Sequence, residues 1–288
     1  MTYKDKFRQS ENRAHSKIIA TKIIRDMNEL RASVESSSTA PRRWVWELIQ
    51  NAKDVHSEDG VKIKIKYRPN VTNPYIKFIH TGEPFSADNI RYLIEQISSK
   101  DRDNDEDGKR KNTGKFGTGF LATHLLSEVV TVEGVAKEPE LDFHKFKLVL
   151  DRSGYELDEI TDAVQNSKEY IEDLDDSEVY VNYEKGAFNT SFRYPLTDNV
   201  SLKVAELGLA DLQECLPYTL AFVNDITSLE IEHEGRKFFN TRKAVDLSDN
   251  IQLITIRNES IENPEDYQLF RLILLSKGFT FIAIPVKK

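Results

Sequence analysis

"RRWVWELIQNAKD", residues 42–54, decides how this chain is read. Glu47, Asn51 and Asp54 are spaced four and then three apart. At about 100° per residue those spacings put the three polar side chains in one narrow arc of a helix. Leu48, Ile49, Ala52 and Val55 fall in the opposite arc. An ordinary amphipathic surface helix accounts for that pattern on its own. The segments on either side give the polar arc a second meaning.

Upstream, residues 11–35 read as a helix, with Ile18, Ile19, Ile23, Ile24 and Leu30 near helical spacing. "ESSSTAPRR" breaks it. Downstream, "KIKIKY" (62–67) alternates and predicts a strand burying Ile63, Ile65 and Tyr67. "YIKFIH" (75–80) predicts a second strand, and "TGEPF" turns the chain. Ser86 is placed to cap a helix whose apolar face is Ile90, Leu93, Ile94 and Ile97.

Then the character changes. "SSKDRDNDEDGKRKN" (98–112) contains no apolar residue, so it reads as disordered or as a mobile loop with a task. "TGKFGTGFLATHLLS" follows, a glycine-rich turn running into an apolar helix. "VVTVEGV", "HKFKLVLD" and "NTSFRYPL" (189–196) read as strands, and residues 157–174 as an acidic helix. Beyond Val200 a helix interrupted near Pro217 is expected, then a hairpin turning at Glu234-Gly235 and a strand at "IQLITIRN". "DYQLFRLILLSK" reads as a helix and "FTFIAIPV" as a last strand. A chain that stops on a core-like strand reads as a piece of something longer.

Composition limits the function classes. The 288 residues are 39% hydrophobic and 31% charged, enough for one large domain or two ordinary ones. No apolar run approaches the ~20 residues of a membrane helix. The start "MTYKDKFRQSENR" lacks the apolar core of a signal peptide. Cys215 is the single cysteine, which excludes an internal disulfide and suits a cytoplasmic protein. The net charge of −8 argues against a whole surface built for nucleic acid and leaves room for a local basic patch.

Gly114, Gly117 and Gly119 form "GKFGTG" ahead of a helix. Glycines there let backbone N–H groups face an anion. The Walker ending is missing, and no strand immediately precedes the run, so neither common nucleotide fingerprint applies. The order of segments is stronger evidence. "RRWVWELIQNAKD", "HTGEPF", "SSK" and "TSFRYPL" occur in that order. In this the chain resembles the GHKL superfamily of ATPases, the Bergerat fold, which includes gyrase B, the histidine kinases and heat shock protein 90. It is most similar to the sacsin-like branch of the chaperone-type members, over roughly residues 15–200.

The resemblance implies an α+β fold: a two-layer α/β sandwich with a mixed, largely antiparallel sheet. Residues 1–199 would form the ATP-binding domain. Residues 200–288 would be a smaller C-terminal α/β element, the start of a middle domain. The function implied is binding of ATP with Mg²⁺ and slow hydrolysis as a conformational switch in a chaperone-like or defence-type multidomain protein. Expected partners are ATP and ADP, a nucleotide-dependent homodimer and other domains of a longer chain, with no membrane.

Residue by residue, Asn51 would bind Mg²⁺, which prefers six oxygens. Glu47 would deprotonate the attacking water. Asp54 would lie toward the sugar or base, and Gly82 would be among the nucleotide-binding residues. Gly114, Lys115, Phe116, Gly117, Thr118, Gly119 and Phe120 would wrap the phosphates, Lys100 of "SSK" would pair with them, and residues 98–113 would close as a lid. Thr190 would reach a water near the base.

The chain departs from the superfamily where D-x-G-x-G is usual: His80 replaces the adenine-reading aspartate and Pro84 the second glycine. A neutral imidazole still offers one acceptor nitrogen and a protonated one offers none. Binding through His80 should therefore weaken near ~6.5, the ordinary imidazole value. The packing alternative for His80 is a strand-end core histidine. The remaining histidines show no zinc spacing. Two rival functions stand beside ATP hydrolysis: a nucleotide-binding switch or interaction module without turnover, and a DNA-clamping ATPase. For the last, the only basic run is "GKRK" (108–111), beside the acidic "DRDNDED".

Overall fold

The computed structural model describes residues 2–37, 39–96, 118–233, 236–263, 265–277 and 280–286. The first helix, α1, runs Tyr3–Ser36, with Thr2 and Asp5 closing a capping box at its start. It begins eight residues before the apolar spacing at 11–35 implied, because that cap, not apolar periodicity, starts it. A 3-10 turn at Ala40–Arg42 leads into α2, Arg43–Asp54. Strands β1 (Val61–Arg68) and β2 (Tyr75–His80) follow, then α3 (Ala87–Glu95), capped by Ser86 with Asn89. Next come the short α4 (Thr118–Leu121), β3 (Val129–Ala136), β4 (His144–Asp151), α5 (Leu157–Glu172) and β5 (Thr190–Pro195). The chain continues through α6 (Asn199–Phe222), β6 (Ile226–His233), β7 (Arg236–Ser248), β8 (Ile251–Ser260), β9 (Tyr267–Lys277) and β10 (Thr280–Pro285).

The strands form one sheet in the order β10-β9-β8-β7-β6-β1-β2-β5-β3-β4. Every neighbouring pair is antiparallel except β1–β6, which is parallel. The α+β class with a mixed, largely antiparallel sheet is therefore what the structure has. The parallel pair requires a crossover, and the connection from β1 to β6 contains α6, which packs on α2, β7 and β8. Helix α1 packs on α5.

Burial follows the pleat. Ile63, Ile65 and Tyr67 of β1 and Ile76 and Phe78 of β2 face the helices and are buried, while Lys64, Lys66 and Lys77 between them are half-buried on the other face. Two indoles fix α2 to α6: Trp44 Nε1 donates to the Val204 carbonyl at 3.0 Å and Trp46 Nε1 to Asp211 at 2.7 Å. At the β4 edge, α5 occupies part of the free backbone. Lys147 N–H donates to the Tyr170 hydroxyl at 2.9 Å, and the Ser167 hydroxyl donates to the Val149 carbonyl at 3.3 Å. Such cover blunts an open edge.

Two sequence expectations fail here. "DYQLFRLILLSK" is strand β9, not a helix, pairing antiparallel with β8 and β10. Within its apolar run Leu272 and Leu274 are buried with period two, a pattern four consecutive apolar residues hide from sequence reading. Pro217 does not interrupt α6, which runs through it. The cost there is the missing Pro N–H, and the apolar contacts of Leu212, Leu216 and Leu220, all buried, carry the helix across it. The hairpin turn expected at Glu234-Gly235 lies outside the described residues, although β6 and β7 pair as that hairpin requires.

Candidate functional site

The site is built where the ends of α2 and β2 meet the start of α4. His80 ends β2 and pairs across the sheet with Thr190, the first residue of β5. Both side chains are buried. The His80 ring lies nearly parallel to the Phe192 ring, with centroids 6.1 Å apart. His80 Nδ1 is 2.8 Å from the Thr81 carbonyl oxygen. A carbonyl only accepts, so Nδ1 carries the proton, and in the neutral ring Nε2 is a bare acceptor. Nε2 is buried and has no hydrogen-bond partner among the described residues. Burial pushes the His80 pKa down to about 4, against a smaller upward pull from the Thr81 carbonyl. The ring is thus neutral across the ordinary range, and the weakening expected near 6.5 moves to about 4.

Thr81 locks the strand end in place. Its hydroxyl accepts from Lys62 N–H at 2.9 Å, and its own N–H donates to the Lys62 carbonyl at 3.0 Å. Gly82 then passes against the end of α2. A Cβ there would lie 2.9 Å from the Val55 carbonyl oxygen and 3.3 Å from His80 Nδ1. Only a glycine lets the backbone through so close to both. This contact ties the end of α2 to the His80 ring.

On α2, Asn51 is buried and its Nδ2 has no hydrogen-bond partner among the described residues, while Asp54 is half-buried one turn on. Glu47, one turn before Asn51, reaches the start of α4, where a Cβ on Gly119 would collide with Glu47 Oε2. Arg43 Nη2 stands 3.1 Å from Glu47 Oε1. Phe120, next to Gly119, is buried with its ring 5.6 Å from Phe192 and 5.9 Å from His124. His124 is also buried and neutral, its pKa pushed down to about 3 by burial and by the nearby Arg152.

The structure therefore gathers Glu47, Asn51, His80, Gly82, Gly119, Phe120 and Thr190 around α2 and the β2–β5 pair. Thr118 opens α4. Lys100, Gly114, Lys115, Phe116 and Gly117, with the rest of the expected lid, lie outside the described residues. Compared with protein-family models and with curated proteins, the chain matches none. The site stands on its geometry.

Sequence reading missed three participants. Arg43 is four residues before Glu47, a spacing that could have flagged an ion pair. Phe192 follows Thr190 by two, so strand alternation could have placed it beside His80. The Thr81 carbonyl left no signal, since a backbone group has none. Among the described residues no set of three or more His, Cys, Asp or Glu side chains is placed to hold a metal ion. An Mg²⁺ ion would fit only if phosphates and water supply most of its oxygens, with the side-chain oxygen of the buried Asn51 as its protein ligand. No helix among the described residues is long and apolar enough to cross a membrane.

Proposed function

We propose that the chain binds an adenine nucleotide with Mg²⁺ at the α2–β2–α4 junction and hydrolyses it slowly, as a conformational switch in a chaperone-like or defence-type multidomain protein. The observation that carries this reading is His80: buried, neutral, its Nδ1 proton committed to Thr81, its Nε2 an acceptor with no partner among the described residues. A buried acceptor left empty costs about 1–3 kcal/mol. The exocyclic amino group of adenine is the donor such an atom fits, and the carbonyl of guanine is not. The order of motifs, and the layer of sheet and helices that carries them, support a Bergerat-type fold.

In this reading Asn51 would hold Mg²⁺ and the backbone around Gly119 the phosphates, whose charge the ion would offset. Glu47 accepts a proton from the water that attacks the γ-phosphorus, and the bond to the ADP oxygen breaks. Thr190 reaches a water beside the base. The nucleotide state would alter how the chain associates with other domains or a second copy.

A second reading, a nucleotide switch without turnover, is favoured by one contact. Arg43 holds the Glu47 carboxylate at 3.1 Å, where it competes with water for the base. The experiment is a titration with ATP, GTP and ADP, with and without Mg²⁺, followed by a turnover assay. ATP should bind more tightly than GTP, and His80→Ala should lose roughly 1–3 kcal/mol of ATP affinity together with that preference. Glu47→Ala should bind ATP as before and turn it over at least about a hundredfold more slowly. Wild type no faster than Glu47→Ala would decide for the switch without turnover. An unchanged ATP preference in His80→Ala would return His80 to a packing role.

A further inference from the structure

On the sheet face away from the helices, one register row runs Lys66, Lys77, Arg193 across β1, β2 and β5. Directly opposed side chains on neighbouring strands have Cβ atoms about 5 Å apart, and like charges so placed are destabilising. On β6 the same row meets Glu232 opposite Lys66. The next outward pair along β1 and β2 is Arg68 with Tyr75. The Arg193 guanidinium lies 4.5 Å from the Tyr75 ring centroid. On the other side of the row, Lys64 stands 5.4 Å from the ring of Phe188, which is 45% exposed.

Nearby carboxylates do not balance the charge. Glu232 faces Lys66 at 3.9 Å and Arg68 at 2.5 Å. Glu133 faces Lys77 at 2.9 Å and Lys147 at 3.7 Å. Glu230 faces Lys64 at 3.1 Å. Among the described residues these pairs, with Arg193 added, set six cations against three carboxylates. On a chain whose net charge is −8, this is a positive island.

We propose that this face binds single-stranded nucleic acid, the row Lys66–Lys77–Arg193 tracking the phosphodiester backbone and Phe188 stacking on a base. Cations interleaved with aromatic rings are what such surfaces combine. An acidic peptide would use the cations and gain little from Phe188. A duplex keeps its bases stacked inside, out of that ring's reach.

The test is fluorescence anisotropy of a labelled 15-nucleotide oligothymidylate against the full chain, over a series of salt concentrations. A 15-base-pair duplex and polyglutamate serve as competitors. The triple variant Lys66→Gln, Lys77→Gln, Arg193→Gln should bind at least about tenfold more weakly. Its log–log salt slope should be shallower by about two, since each single-strand phosphate contact contributes roughly 0.7. Phe188→Ala, which removes no charge, should weaken binding severalfold with the salt slope unchanged. The control Lys4→Gln, Lys6→Gln, Arg8→Gln removes three exposed cations of α1 and should bind as wild type. Thermal unfolding checks that each variant folds, and the Phe188→Ala arm stands if the triple variant does not. The proposal is overturned if the oligonucleotide shows no saturable binding, if Phe188→Ala and the folded triple variant match wild type, or if duplex or polyglutamate competes as well as unlabelled single strand.

Discussion

Strand pairs β2–β5 and β9–β10 are both antiparallel, and each matches six residues in register. Their surroundings differ. Phe78 and His80 on β2 are each 1% exposed beneath the helices, whereas Ile282 and Ile284 on β10 are 57% and 49% exposed. Burial changes what a side chain can be. Under the helices a histidine is stripped of its charge and its tautomer is set by one carbonyl. At the outer strand the face carrying Ile282 and Ile284 is open, and even isoleucine stays wet. The site therefore mixes two settings: His80 and Asn51 are enclosed, whereas Glu47 and Asp54 are only half-buried.

The largest test of that contrast is stability. Phe78→Ala should cost about 3–5 kcal/mol, the range for truncating a buried aromatic, while Ile282→Ala should cost under about 1 kcal/mol. Denaturant midpoints of the two variants measure both. Equal losses would mean the two strand pairs are equally enclosed, and the contrast would fail.

Next in size is the pH dependence. The folded-state pKa of His80, about 4, is below its ordinary 6.5, so the unfolded chain takes up the proton first. The stability tied to this ring is fully present above 6.5 and is lost as pH falls toward 4. The total approaches about 3 kcal/mol. His124 acts in the same direction, down to about 3. Unfolding measured from pH 7.5 to 5 should show this decline, and His80→Gln should remove its share. Glu133 and Glu232, both held below the usual carboxylate range, contribute at lower pH than this window. A flat profile over it would mean that His80 is not enclosed.

The smallest expected effect sharpens the contrast inside the site. A methyl on Gly119 would strike the Glu47 carboxylate, the free end of a flexible side chain. Gly119→Ala should thus leave the melting temperature within about 2 °C of wild type, because the carboxylate can swing away. If Glu47 is the base, that displacement should slow turnover roughly ten- to a hundredfold. A large drop in melting temperature would instead make Gly119 a packing residue.

The sequence by itself determined the elements whose period is clear. Strict alternation in "KIKIKY" became β1 with Ile63, Ile65 and Tyr67 inward, Ser86 capped α3, and the polar arc of "WELIQNAKD" sits on α2. The resemblance to the GHKL superfamily named Glu47, Asn51, His80 and Thr190 as a group. What the sequence left open depends on distance between segments far apart in the chain. That β9 is a strand follows from its hydrogen bonds to β8 and β10, because a run of consecutive apolar residues satisfies either period. The state of His80 follows from enclosure and from the Thr81 carbonyl. The approach of Glu47 to Gly119 and the cation row across β1, β2 and β5 follow from packing and register. Local periodicity is written in neighbouring residues, but burial and register arise only when distant strands meet, and those two quantities set the charge, tautomer and company of each functional side chain.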